Sequence, residues 1–352
     1  MLQGSSRAVP MSAPSSPLSF RIVERYSVFY CQRSASLVKN FRPTEEISAK
    51  CRDGNGLTCR FGSAYHNFQN YVPYFGTIRE GSDMAQDLRD MARRVTPGMS
   101  LALPVDYAGV SMAMTRPLIE HGAGGLHLVC VPTGGLQVDM LIGAGLVATV
   151  ETSAVSLGEA GGAPRFNDAV RQGDIRILDA TCPAIHAGLM AAQKGVPFLP
   201  IRGLIGSDVL ANRPDWRVID NPFAASDPVA LIPAIRPDVA IFHAPMADRE
   251  GNVWIGRRRE LAAMAYAASE TLVTVERIVD RSLLADEMTA AGTLPALYVS
   301  AVAQAPRGAW PYGLWGEYAS DTDELMRYAA AARTAKGFAE YMAGFVGQEV
   351  PA

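Results

Sequence analysis

The chain has 352 residues, 49% hydrophobic and 19% charged, which fits a globular protein with enough sequence for a large core. A formal net charge of −3 gives no broad electrostatic pull toward nucleic acid or an anionic membrane surface, and no apolar run approaches the ~20 residues of a membrane span. The five cysteines, Cys31, Cys51, Cys59, Cys130 and Cys182, make no CxxC pair, and the histidines make no HxxxH pair. No metal site or disulfide framework is expected, and reduced thiols fit a cytoplasmic protein.

Residues 1–83 read differently from the rest. Ser5, Ser6, Ser12, Ser15 and Ser16 alternate with Pro10, Pro14 and Pro17, and no period of 2 or 3.6 is sustained. The expectation is a poorly structured extension or a mis-called start over 1–83, followed by one domain over 84–352. A transit peptide, or an appended subdomain around Tyr71–Phe75, is the alternative. After Met84, the residues Leu88, Met91, Ala92 and Val95 share a helical face that ends at Pro97-Gly98.

From there short apolar runs alternate with helical segments. The runs are 100–104, 126–132, 147–151, 175–180, 196–201, 238–245, 272–279 and 296–303. Helices are predicted up to His121, over 136–145, up to Gly195 and over about 258–268, with a helical tail at 322–345. Gly122, Gly145 and Gly195 stand where left-handed helix caps belong. Such a pattern predicts an α/β fold, a mostly parallel sheet between two layers of helices. Trp310 and Trp315 are expected to pack the tail against the domain.

Ligands of such sheets collect at the carboxyl ends of strands, beside helix N-termini. Four loops are placed there. Thr133-Gly134-Gly135 could bring backbone close to a ligand, or could simply form a tight turn. Ser156-Leu157-Gly158-Glu159 presents a carboxylate between glycines, the accessibility a nucleophile or pocket residue needs; a solvated loop acid is the bland alternative. Cys182 opens a helix after Thr181, four residues before His186, and is either a reactive thiol or a small packing residue. Arg202, Gly206 and Ser207 could grip a carboxylate or phosphate, or lie idle on the surface.

Taken in order, the segments 134–145, 150–166, 195–208, 220–223 and 236–256 resemble alpha-type subunits of family I coenzyme A transferases, of the glutaconate CoA-transferase type. The run RPDVAIFHAPMADREGNVWIG, 236–256, is the most specific of them. The resemblance extends from about Met84 to Met342. It implies a three-layer αβα fold and ping-pong transfer of CoA between carboxylic acids, through acyl anhydride and glutamyl thioester intermediates. No permanently bound cofactor is implied, only CoA esters as substrates. The resemblance places the nucleophilic glutamate in a Ser-Glu-Asn-Gly-like turn of a beta-type partner, a turn this chain lacks. A hetero-oligomer is therefore expected, in which Glu159 and Cys182 are the catalytic candidates of this chain. Thr133, Gly134, Gly135, Ser156, Arg202, Gly206 and Ser207 are the candidates for CoA and substrate binding.

The chain departs from many relatives after its first strand. A Gly-Gly-Phe loop lining the oxyanion site is replaced by Leu103-Pro104-Val105-Asp106-Tyr107-Ala108-Gly109. That departure keeps open a CoA-thioester hydrolase or a carbon–carbon-cleaving enzyme on the same fold. A sugar-phosphate-binding regulator is a third reading, without a helix-turn-helix or basic stripe to support it.

Overall fold

The computed structural model describes residues 87–347. The expectation for residues 1–83 falls outside that range.

Helix α1 (Leu88–Ala92) is capped by Asp87 and buries Met91 and Ala92. Strand β1 (Ser100–Pro104) is followed by a 3-10 turn over Asp106–Ala108, then α2 (Met112–His121). Next come β2 (Leu126–Val131), α3 (Leu136–Gly143), β3 (Val147–Thr152), α4 (Pro164–Gln172), β4 (Arg176–Asp179) and α5 (Cys182–Gln193). Short elements follow: β5 (Phe198–Ile201), α6 (Asp208–Ala211), β6 (Arg217–Asp220) and β7 (Pro228–Pro233). The long strand β8 (Val239–Asp248) turns into β9 (Val253–Trp254). The remainder is α7 (Arg259–Ala267), β10 (Glu270–Val279), α8 (Glu287–Ala290), β11 (Thr293–Leu294), β12 (Ala301–Gln304), α9 (Thr322–Ala331) and α10 (Ala335–Gly347).

Seven strands run parallel in the order β12-β10-β8-β1-β2-β3-β4, and β9 and β11 add antiparallel pairings beyond the end of β8. Alternation along each strand sorts the core into two layers. Leu101, Leu103, Leu126, Leu128, Cys130 and Ile241 face one cluster with α2, α3 and the tail helices. Ala102, Val129, Val131, Phe242 and Val273 face another with α5 and α7. The predicted αβα sandwich is the observed one. Gly122, Gly145 and Gly195 all adopt positive φ at helix ends, as their positions required.

Two segments differ from the sequence reading. The run 196–201 leaves the parallel sheet: β5 pairs antiparallel with β7, which also pairs with β6, in a separate three-stranded sheet. Proline at 197 and 200 is tolerated there because the strand is an edge. The run 296–303 is half 3-10 turn (Ala296–Tyr298), and only its second half joins the sheet.

Polar groups inside this sandwich are tied down. The Asp139 carboxylate, on α3, accepts from the Phe166 N–H (2.7 Å) and the Arg165 N–H (3.3 Å), and so caps α4 from a neighbouring helix. It also accepts from the Tyr328 hydroxyl of α9 at 2.7 Å. Burial pushes this carboxyl above its usual range. His243, fully buried on β8, bonds Thr274 through Nδ1 (2.8 Å) and Glu276 through Nε2 (2.7 Å). Asp248 closes the β8–β9 turn by accepting from Glu250, Asn252 and Leu283 backbone N–H groups. That turn explains the Ala-Asp and Gly-Asn pairs of the 236–256 run.

Asp139→Ala strands two helix-start N–H groups and a tyrosine hydroxyl in a dry interior. Each buried orphan costs on the order of 1–3 kcal/mol, so a loss of at least about 2 kcal/mol is expected in urea-denaturation midpoints.

Candidate active site

A cleft of about 620 Å³ opens over the carboxyl ends of β1 and β3. Three parts of the chain build it. The turn after β1 brings Asp106 and Tyr107, and the 3-10 turn Gly158–Ala160 brings Glu159. A strap from Tyr312 to Leu325 forms the opposite wall, with Arg258 entering from the start of α7.

The strand-end loops reach the cleft because their backbones are zipped together. Gly134 N–H donates to Ala154 O (2.9 Å) and Ser156 N–H donates to Gly134 O (3.0 Å). Ser156 Oγ then accepts from Gly158 N–H at 3.1 Å, fixing the turn that carries Glu159. Glu159 is exposed. Gly135 lies directly behind two lining residues: a Cβ there would lie 1.9 Å from Asp106 Oδ1 and 2.4 Å from the Tyr312 hydroxyl oxygen. The Tyr312 oxygen accepts from Leu136 N–H at 2.6 Å, capping α3, which has no side-chain cap of its own. Thr133 lies between the Val131-Pro132 cis peptide and Gly134.

Asp106 is the perturbed group of the site. Burial raises its pKa from 3.8 to about 6, against the lowering effect of the Tyr312 hydroxyl and of its own backbone N–H. Glu317 on the strap is paired with Arg277 at 2.8 Å. Arg258 lies 5.3 Å over the Trp315 ring and donates from Nε to Tyr107 O.

The other predicted residues lie apart from this cleft. Cys182 stands at the start of α5, capped by Thr181, and its sulfur is 3.3 Å from Ser153 Oγ. Ser153 Oγ donates to Pro132 O, so the thiol is tied to the 132–135 loop; its hydrogen-bond partner is Ser153, not His186. Burial lowers the pKa of His186 and favours the neutral ring. Arg202 is held by Asp227 in a bidentate pair (2.6 and 2.7 Å), and its charge is already matched. Ser207 Oγ donates to Leu204 O, and Gly206 takes positive φ in the same turn. These three belong to the loop between β5 and α6, beside the small sheet.

Of the residues the sequence pointed to, Glu159 lines this cleft while Gly134, Gly135 and Ser156 stand behind it; Tyr312, Arg258 and the strap carried no sequence signal of a site. Only the aromatic density of 310–318 marked that segment. Trp310 packs as expected, donating to Asp321 at 3.2 Å, but Trp315 is 45% exposed on the cleft wall beside Trp254.

A smaller hollow of about 240 Å³ lies beneath the small sheet, against His127, Glu151, Arg213 and Trp216. Its polar groups are largely mutual: Arg213 bonds Glu151 and Asp215, both at 2.8 Å, and stacks 4.1 Å over Trp216. No helix of the described residues is long and apolar enough to cross a membrane.

An α/β sandwich with glycine turns zipped at the strand tips defines the class, and likeness to known proteins fixes the family. Residues 85–305 match the Coenzyme A transferase family model, and the chain belongs to that family. It is 33% identical over 268 residues to the A subunit of the 3-oxoadipate CoA-transferase of Pseudomonas knackmussii, covering 74% of this chain and 92% of that one. It is 30% identical to the cholesterol ring-cleaving hydrolase IpdA subunit of Rhodococcus jostii, covering 67% and 82%. The crystal structure of glutaconate coenzyme A-transferase from Acidaminococcus fermentans superposes with a TM-score of 0.69 at 27% identity, over 75% of this chain and 89% of that chain.

Gly135→Ala is expected to disrupt the cleft from behind. A methyl group 1.9 Å from Asp106 Oδ1 must displace that carboxyl and Tyr312 together. Activity should fall at least ~100-fold while the far-UV spectrum is kept, measured by steady-state assay and circular dichroism.

Proposed function

We infer that this chain is the alpha-type subunit of an acyl-CoA:carboxylate CoA transferase, contributing half of the active site and completed by a beta-type subunit. The observation that carries the reading is the cleft: the turns after β1 and β3 meet the 312–325 strap there, and of its lining acids Glu159 is the one that is both exposed and outside the ion pairs of the described residues. Tyr107 is 70% exposed and Trp315 45% exposed at the same rim, apolar surface that a companion chain would cover.

The chemistry follows from what carboxylates and thioesters do. The glutamate supplied by the beta-type subunit attacks the acyl-CoA carbonyl, and CoA thiolate leaves, giving an acyl–glutamyl anhydride. The thiolate then attacks the glutamyl carbonyl, releasing the first acid and leaving a glutamyl-CoA thioester. The acceptor acid reverses both steps. Each tetrahedral intermediate carries an oxyanion, and donors placed beforehand lower that barrier most. In this chain Arg258 is the cationic donor lining the cleft. Gly134, Gly135 and Ser156 brace the cleft from behind, and Glu159 is a pocket residue rather than the covalent carboxylate. Thr133 is placed with the acyl end. Cys182 is assigned beside the 132–135 loop, as a support for it through Ser153. Arg202, Gly206 and Ser207 are assigned to an outer contact with the CoA tail, which would need Arg202 to exchange Asp227 for a phosphate. The protein is placed in the cytoplasm.

A hydrolase is the second reading. Asp106 occupies the loop where many relatives carry Gly-Gly-Phe, and a relative named as a hydrolase covers two thirds of the chain.

Co-expression with a beta-type subunit of this family should yield a stable two-chain complex. Adding acyl-CoA should make it sensitive to borohydride, which reduces the glutamyl thioester, with the label mapping to the beta-type chain. Glu159→Gln should keep that labelling while lowering kcat/KM about 10-fold or more. A stable and fully active homo-oligomer would refute the two-chain reading; turnover with water but without a trappable thioester would favour the hydrolase.

A further inference from the structure

The acid that replaces the glycine loop has a role the family reading does not supply. Asp106 lines the cleft and keeps partial exposure, so a bound acyl group can touch it. Its Oδ1 is buried against Gly135 and has no hydrogen-bond partner. An orphaned buried oxygen is costly on a carboxylate and far cheaper on a neutral carboxyl. Behind Asp106 stands a directed series of donors: Leu136 N–H donates to the Tyr312 oxygen, and the Tyr312 hydroxyl lies against the carboxyl. A proton held on Asp106 ends that series in the cleft as a donor.

The surrounding charges point the same way. Glu317 is matched by Arg277, and Glu159 shares the rim with Arg258. With Asp106 neutral, these cleft side chains balance; with Asp106 ionised they are net negative and repel an anion. The other titratable groups near Asp106 are Tyr312, Tyr107, Arg258 and Cys130 on β2, with Asp139 of α3 acting on Tyr312 behind it. Burial holds the Tyr312 and Cys130 protons in place, and it raises the pKa of Asp139.

We propose that Asp106 is a catalytic residue of this half-site, a protonated carboxyl that donates a hydrogen bond to an oxygen of the bound acyl group and so favours acids with a second, anionic carboxylate. It rests on the transferase reading above and deepens it. No bond to carbon is made or broken by Asp106. The proton stays on its carboxyl, shared with the substrate oxygen.

The sign of the pH effect is fixed. Asp106 acts as a donor below its pKa, about 6, and loses the proton as pH rises through that value. An anion bound beside it raises that pKa further. With the two-chain complex, and glutaryl-CoA and acetate as the probe pair, kcat/KM should fall on the alkaline side. Asp106→Asn keeps a neutral donor of the same shape and should remain within ~10-fold of the parent at pH 6 without that alkaline fall. Asp106→Ala should lose about 100-fold at pH 6, the usual scale for one such donor. Tyr312→Phe removes a hydroxyl whose closeness lowers the Asp106 pKa, so the alkaline limb should move to higher pH; a purely structural tyrosine would not move it.

An arm independent of turnover uses infrared difference spectra of the complex labelled with 13C-aspartate. A protonated carboxyl signal that is absent from Asp106→Asn and shifts when glutaryl-CoA is added supports the proposal. An unshifted or missing signal overturns it, as does an alkaline limb retained in Asp106→Asn. If every acid fails as acceptor and no thioester is trapped, the transferase reading falls, while the infrared result still decides Asp106.

Discussion

Everything at this site depends on how closely backbone can pass backbone at the strand tips. Gly134 and Gly135 occupy space where any side chain would strike Cys130, Val138, Asp106 or Tyr312. Because they have none, the loop after β2 can bond the loop after β3 and still let the turn after β1 lie against it. One contact thereby sets the depth of the cleft and the placement of both acids. The same economy recurs at Gly109, whose positive φ and lack of a Cβ let the chain cross the His243 carbonyl.

Beneath that surface, the sandwich is held by ordinary burial together with a few polar ties. Asp139 joins α3, α4 and α9; Asp248 closes its hairpin; and His243 links β8 to Glu276. Burial lowers the pKa of His243 and keeps the ring neutral, although the Glu276 bond opposes this. A neutral ring has one donor and one acceptor nitrogen. Glu276 must receive the donor, and Thr274 therefore gives its hydroxyl proton to Nδ1. Glu276 also accepts from the Tyr318 hydroxyl (2.8 Å) and the Arg307 N–H (2.7 Å), which anchors the strap to the sheet.

Much of this was legible in the sequence because parallel strands buried on both faces read as continuous apolar runs, and glycine marks helix ends. Strand β8 is buried at all ten positions, and DVAIFHAP announced it. The small sheet was harder to place, since four-residue edge strands such as Arg217–Asp220, exposed throughout, carry no burial pattern. Around the cleft, Gly134, Gly135, Ser156 and Glu159 stand out in the sequence because glycine-bearing turns are local features. Tyr312 does not: its partners, Leu136 and Asp106, lie 176 and more positions away, and tyrosine in an aromatic-rich segment reads as packing. Arg202 was conspicuous for the opposite reason. Its glycine-rich surroundings suggest an anion grip, and only three dimensions reveal Asp227 already in its grasp.

The strap from Tyr312 to Leu325 lies beyond residue 305, where the match to the family model ends. One wall of the cleft is thus drawn from chain beyond that match, and it hangs from the sheet by Tyr318, the Arg307 amide and the Arg277–Glu317 pair. Such an arrangement makes the width of the cleft depend on a handful of polar ties on Glu276 and Glu317, so loosening them would let that wall shift while the strands beneath keep their register.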